Sequence, residues 1–224
     1  SYQDTLEKIV SLNPEHISSY SLIIEPGTVF GDWEKNGTLK HVDEDVDRQM
    51  YEWTGKYLQH MGYQRYEISN YCRDGMECRH NCVYWSGGEY LGLGVNASSY
   101  LTGYRFHVPV SQKTYRSYVD RICVLAEKES EGLKKAVQEM DELEFIDQRA
   151  QMEEFMFLGL RMMAGVSEQE FYQRFGISMM EVYGDIIKKY QNMDLLCRRD
   201  TGRVALTEKG IDVSNSILSD FLLN

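Results

Sequence analysis

Apolar positions fall into short runs whose period switches repeatedly between helix and strand. Residues 2–12 place Leu6, Ile9, Val10 and Leu12 at helical spacing, and Asn13-Pro14 ends the pattern. From His16 to Ile24, the residues Ile17, Ser19, Ser21 and Ile23 alternate with Ser18, Tyr20, Leu22 and Ile24, until Glu25-Pro26-Gly27-Thr28 breaks the run. Both alternating sets contain apolar residues, which predicts a strand whose second half is buried on both faces, as in a parallel sheet. Met50, Trp53, Tyr57, Leu58 and Met61 mark a helix over 43–61 with Gly62 as its stop. A short strand is predicted over 63–68, then a long turn-rich loop over 69–89 and a buried strand over 90–94. Strand, helix and strand in this order is the rhythm of an α/β unit.

Residues 98–110 read as an antiparallel hairpin with Thr102-Gly103 at the bend and Pro109 closing it. A helix from Gln112 to about Leu125 follows, and the acidic stretch from Glu127 to Glu144 reads as a connector. From Gln148 the pattern changes to three helices, the second opening on Ser167 and Glu170 as a capping box. Two short strands around Asp200-Thr201-Gly202 and a closing helix carrying Ile211, Val213, Ile217, Leu218 and Phe221 complete the order of a winged-helix-like domain.

Composition narrows the picture. Across 224 residues, 42% are hydrophobic and 26% charged, which is globular composition. No apolar run reaches the roughly 18 residues of a membrane span, and no basic-then-apolar leader precedes the first helix. The chain opens on Ser1 inside a predicted helix, as expected of a piece of a longer protein. The net charge is -11, and residues 148–224 hold nine basic against eleven acidic residues. That sign argues against nucleic acid as a partner, and the third helix of the tail sets Glu181 and Asp185 against Lys188 and Lys189. Five cysteines without a leader suit reduced thiols in the cytoplasm.

The chemistry concentrates in the loop. Cys78, His80 and Cys82 lack the second ligand pair of a structural zinc site, and the spacing of Cys72, Cys78 and Cys82 fits neither ferredoxin pattern. As thiols they read as small packed hydrophobes. The glycines Gly87, Gly88, Gly92 and Gly94 do not form a dinucleotide fingerprint. His80 has different company. Beside Asn81, Tyr84 and Trp85, its imidazole is either a structural, hydrogen-bonded side chain or an axial ligand for a planar macrocycle such as haem, with aromatic faces at hand.

Several words, in order, resemble the oxygen-independent coproporphyrinogen III oxidase-like radical SAM family. They are His16-Ile17-Ser18-Ser19-Tyr20-Ser21-Leu22, Glu25-Pro26-Gly27-Thr28, Tyr66-Glu67-Ile68-Ser69-Asn70-Tyr71 and Glu89-Tyr90-Leu91-Gly92-Leu93-Gly94. In the tail they are Phe157-Leu158-Gly159-Leu160-Arg161, Ala205-Leu206-Thr207-Glu208-Lys209-Gly210 and Ser214-Asn215. His80-Asn81-Cys82-Val83-Tyr84-Trp85 is similar to the His-Asn-x-x-Tyr-Trp word of that family's haem chaperone branch.

The resemblance implies an α/β fold: the second half of a radical SAM-type partial (β/α) barrel over 1–110, with a haem loop at 70–86. A helical connector over 111–147 and a winged-helix-like α+β domain over 148–224 would follow. It implies haem binding by His80, Asn81, Tyr84 and Trp85, with His80 on the iron, for delivery to a client haemoprotein in the cytoplasm. Ile23, Gly94 and Ala97 would lie near S-adenosylmethionine. The alternative within the family is the oxidase of porphyrin biosynthesis, which converts coproporphyrinogen III by radical chemistry. The family's Cys-x3-Cys-x2-Cys run is not among these residues. The [4Fe–4S] cluster and adenosylmethionine are therefore expected only in the full-length parent, and this chain alone is expected to be catalytically inactive.

Overall fold

Ile17 pairs with Tyr71 and His16 with Cys72 in an antiparallel register, so two segments more than fifty residues apart in sequence lie side by side in the first sheet. The structure is a computed structural model that describes residues 1–39, 42–108, 111–126 and 143–223. It divides into two compact units, Ser1–Cys78 and Arg79–Asn224.

The first unit contains α1 (Tyr2–Ser11), β1 (His16–Ser18), α2 (Val29–Lys35), α3 (Glu44–His60), β2 (Gln64–Arg65) and β3 (Asn70–Cys72). Its sheet runs β1-β3-β2. Ser1 begins α1 with a reciprocal capping box to Asp4, and Asp43 caps α3 by accepting from the amides of Asp45 and Val46. Leu6, Val10, Ile17, Leu58, Tyr63 and Tyr71 form the core, with Trp53 and Tyr57 packed against it. Arg73 lies over the Tyr63 ring at 4.5 Å and also donates to Asn13.

Three expectations for this unit need correction. The strand foreseen over 16–24 stops at Ser18, and β1 pairs antiparallel with β3 rather than lying in a parallel sheet. Beyond Ser19, whose amide still donates to the Ser69 carbonyl, no described strand runs alongside, so Leu22 and Ile23 stand 71% and 77% exposed. The strand foreseen over 63–68 shortens to Gln64–Arg65, because Tyr66 to Ser69 turn the chain back into β3. Buried Glu67 holds that turn by accepting from the Ser69 amide at 2.9 Å.

The second unit opens with α4 (Arg79–Trp85) and the hairpin β4 (Ser98–Leu101) and β5 (Tyr104–His107). It continues through α5 (Gln112–Ala126), β6 (Glu144–Phe145), α6 (Gln148–Gly159), β7 (Val166–Ser167), α7 (Glu168–Phe175) and α8 (Met179–Asn192). The final elements are β8 (Leu196–Arg199), β9 (Arg203–Leu206), α9 (Glu208–Asp212) and α10 (Ser214–Ser219). The sheets run β4-β5-β6 and β7-β9-β8, all antiparallel. The hairpin bends at Thr102-Gly103 as the sequence predicts, and the foreseen closing helix is broken into α9 and α10 at Val213. Pro109 and nearly all of the acidic connector over 127–144 lie outside the described residues.

An aromatic chain forms the centre of the C-terminal part. Phe155 meets Phe171 and Phe175 edge-on, Phe171 meets Tyr183, and Tyr183 meets Phe221 at 5.4 Å. Phe171, Tyr183 and Phe221 are fully buried. Such rings anchor the three helices against the small sheet.

Two further expectations change here. The stretch over 90–94 is not a buried strand: only Tyr90 bridges, to Tyr100, while Leu93 is 81% exposed. Gly92 does mark a close approach, since an added Cβ would meet the Ser98 carbonyl and lie 2.9 Å from the Ala97 Cβ. The loop foreseen over 69–89 contains two regular elements, β3 and α4, so the His80 motif is helical.

Candidate functional site

Helical geometry divides the motif His80-Asn81-Cys82-Val83-Tyr84-Trp85 into faces. His80 and Tyr84 stand four residues apart and therefore meet, as do positions 81 and 85 along the neighbouring row. The His80 and Tyr84 rings lie edge-on, with centroids 4.8 Å apart and planes at 84°. Tyr84 in turn meets Tyr90 edge-on at 4.5 Å, and Tyr90 lies 6.3 Å from Tyr100. Arg105 sits 6.0 Å from the Tyr100 ring and bridges Glu154 at 2.8 Å and Glu144 at 3.6 Å. Burial opposes the charge on Arg105, but hydrogen bonding and attraction from Glu154 outweigh it and raise its pKa.

His80 is exposed, and its imidazole nitrogens have no hydrogen-bond partner among the described residues. Two histidines of the chain are used differently: His16 Nε2 pairs with the Tyr66 hydroxyl at 2.9 Å, and His107 Nδ1 with the Ser98 hydroxyl at 3.1 Å. Those are structural histidines. His80 keeps both ring nitrogens available for a ligand.

Trp85 performs a different task. It is half-buried, and the Arg161 guanidinium lies over its ring at 5.0 Å. Just beyond it, Arg174 of α7 donates to the carbonyls of Ser86 and Gly87, closing the C-terminal end of α4. Arg161, in the turn after α6, and Arg174 of α7 thus hold the end of the helix that presents His80. Asn81 is half-buried, and its amide has no hydrogen-bond partner among the described residues.

The remaining foreseen positions are dispersed. Ile23 belongs to the first unit and lines an open hollow of about 300 Å³ with Ile24, Glu25, Thr28, Val29 and Phe30. Gly94 and Ala97 belong to the second unit and share one turn. The Gly94 amide donates to the Tyr115 hydroxyl at 3.2 Å, and the Ala97 carbonyl accepts from Val108 at 2.7 Å. None of the five cysteines is in a disulfide; Cys72 is buried, and Cys78 and Cys82 are half-buried. Among the described residues, no three or more His, Cys, Asp or Glu side chains converge as a metal site.

Two of the recognisable sequence words find each other in the fold. Besides His16 with Tyr66, Ser18 donates to Asn70, and Asn70 donates to the Tyr20 hydroxyl at 3.3 Å. Asn70 is fully buried and therefore serves this join. Sequence reasoning passed over Tyr90, Arg161 and Arg174 as neighbours of the motif. Tyr90 lies within one recognisable word and Arg161 closes another, which was the available signal.

Residues 146–213 match the HemN C-terminal domain. The heme chaperone HemW of Lactococcus lactis is 34% identical over 219 residues, covering 98% of this chain and 53% of that protein. The Bacillus subtilis heme chaperone HemW is 33% identical, covering 98% and 54%. Among solved structures, the Escherichia coli coproporphyrinogen III oxidase HemN, a radical SAM enzyme, superposes with a TM-score of 0.67 at 16% identity, over 99% of this chain and 51% of that one. The chain thus shares the α/β fold of that enzyme, its residues 146–213 match the HemN C-terminal domain, and nearly its whole length is similar to the heme chaperone HemW proteins. The chain spans about half the length of those relatives.

Proposed function

We propose that this chain carries the haem-receiving helix of a haem chaperone, binding haem through His80 for transfer to a client haemoprotein. The observation that carries the reading is the state of His80: exposed, unpartnered at both nitrogens among the described residues, and backed by an aromatic face of Tyr84 and Tyr90. A neutral imidazole offers a lone pair to iron, and flat rings suit an apolar macrocycle. Asn81 flanks the ligand on the helix, while Trp85 serves the site by holding α4 in place. The relatives named heme chaperone HemW support this reading over the oxidase. The client haemoprotein, the cytoplasm as the place of transfer and the chain's role within a whole chaperone belong to the same proposal.

The antiparallel segments of the first unit and the β4–β5 region are read as part of a partial barrel. The three helices and the β7-β9-β8 sheet are read as a winged-helix-like closing domain. The cysteines present do not fit a cubane cluster, because Cys78-x3-Cys82 has Trp85, not a cysteine, after two intervening residues. We place the [4Fe–4S] cluster and adenosylmethionine in the whole protein, with Ile23, Gly94 and Ala97 in the latter's vicinity, and route no step through them here.

Titrating haem into the full chain and into His80→Ala tests the reading by absorption spectroscopy. The wild type should develop a shifted Soret band that His80→Ala loses, while Cys82→Ser keeps it. An identical band and affinity in wild type and His80→Ala would remove His80 as ligand. Loss confined to cysteine variants would replace it with a thiolate.

A further inference from the structure

We propose that Arg161 is the carboxylate receptor of this haem site, taking a propionate of the macrocycle. The inference rests on the proposed binding of haem at His80 and adds a second, chemically distinct contact. The C-terminal domain over 146–213 contains six arginines. Five have acceptors: Arg149 pairs with Glu153, Arg198 with Glu168 and Arg203 with Glu170, while Arg174 and Arg199 donate to backbone carbonyls. Arg161 is the exception. Its Nε is buried without any acceptor, and no carboxylate pairs with it among the described residues.

A buried guanidinium N–H without an acceptor is costly, and stacking on the Trp85 ring offsets only part of that cost. The arrangement is complete once a carboxylate arrives, because two parallel N–H groups of a guanidinium match two carboxylate oxygens. Haem supplies such groups on flexible arms at one edge of its plane. Trp85 stands five residues after His80, about 7.5 Å further along the helix axis at about 1.5 Å per residue, and Arg161 lies over its ring. Were haem held by His80, Arg161 at the C-terminal end of α4 would be the residue to take a propionate. The same stacking that orients Arg161 also explains why a tryptophan closes the motif.

Haem and haem dimethyl ester, whose propionates are uncharged, form the test. Each is titrated into wild type, Arg161→Met, Arg161→Lys and His80→Ala, with near-ultraviolet dichroism as the control of folding. The wild type should prefer haem to the ester by roughly tenfold, about one charge-assisted hydrogen bond. Arg161→Met should erase that preference while keeping the shape of the Soret band, and Arg161→Lys should retain part of it. His80→Ala should change the spectrum without erasing the preference. A wild type that does not distinguish the two ligands overturns the proposal even if Arg161→Met fails to fold. Equal weakening of both ligands in Arg161→Met also overturns it, leaving Arg161 as a packing residue for Trp85. A spectrum independent of His80 with the preference intact overturns His80 ligation alone. Absence of binding by either ligand overturns both.

Discussion

The rings of His80 and Tyr84 stand edge-on at 4.8 Å, one turn apart on α4, so the position of the imidazole is set by a ring on its own helix. Removing that ring should loosen the imidazole, while removing its hydroxyl should not. Tyr84→Phe is expected to bind haem as the wild type does, and Tyr84→Ala to bind several-fold more weakly, in keeping with aromatic pairs worth about 0.5–1.5 kcal/mol. Absorption titration of the two variants checks this. Equal weakening by both would assign the effect to the hydroxyl.

Arg174 should control the order of the helix end. Its two bonds to the Ser86 and Gly87 carbonyls close α4 from outside the helix. Arg174→Ala should raise hydrogen exchange at the amides of Ser86, Gly87 and Gly88, which bond back to Cys82, Tyr84 and Val83. Amides in the core of α8 should be unaffected. Unchanged exchange at the three glycine and serine amides would show that α4 is held by packing alone.

Gly165 and Gly202 share a left-handed backbone, with φ of 70° and 71°, but differ in their surroundings. A Cβ at Gly165 would collide with the Val204 carbonyl and lie 2.7 Å from the Ala205 Cα, whereas at Gly202 it meets open space. Gly202→Ala should cost about 1–2 kcal/mol from the backbone alone. Gly165→Ala should cost about 1–3 kcal/mol more, because strand β9 must move. Denaturant unfolding of the two variants measures the difference, and equal losses would refute the packing argument.

Asp220 links the closing helix to α8. It accepts from the Lys189 ammonium at 2.6 Å and the Tyr190 hydroxyl at 2.7 Å. The bond from Lys189, followed by that from Tyr190, holds its carboxyl below the usual range, while Lys189 is raised chiefly by its bond to Asp220. A depressed carboxylate stabilises above its unfolded pKa of about 3.9, and this contribution is lost as the pH falls through the folded value. Asp220→Asn should therefore melt below the wild type near neutral pH, and the gap should close on acidification below about pH 4. A gap that persists into strong acid would show that the carboxylate's charge is not responsible.

Much of the fold is legible in the order of residues. Capping residues and 3.6-residue periods locate α1, α3, α7 and α8 to within a few positions, since a helix satisfies its backbone locally and leaves its marks in contiguous sequence. The β4–β5 and β8–β9 hairpins are equally local, with their turns at Thr102-Gly103 and Asp200-Thr201-Gly202. The motif around His80 is also plain from residue types alone.

Strand partners and the division of labour within the motif are decided elsewhere. An extended run becomes a strand only where another backbone lies beside it, so β1 ends at Ser18 although its alternation continues to Ile24. Tyr90 to Gly94 likewise gains only one bridge. The sequence by itself determined which side chains could bind a macrocycle and where helices begin. Only the tertiary structure decided that His80 stays open while Trp85 is spent on Arg161. That assignment depends on α4 meeting the helices some seventy residues later, a contact no local pattern encodes.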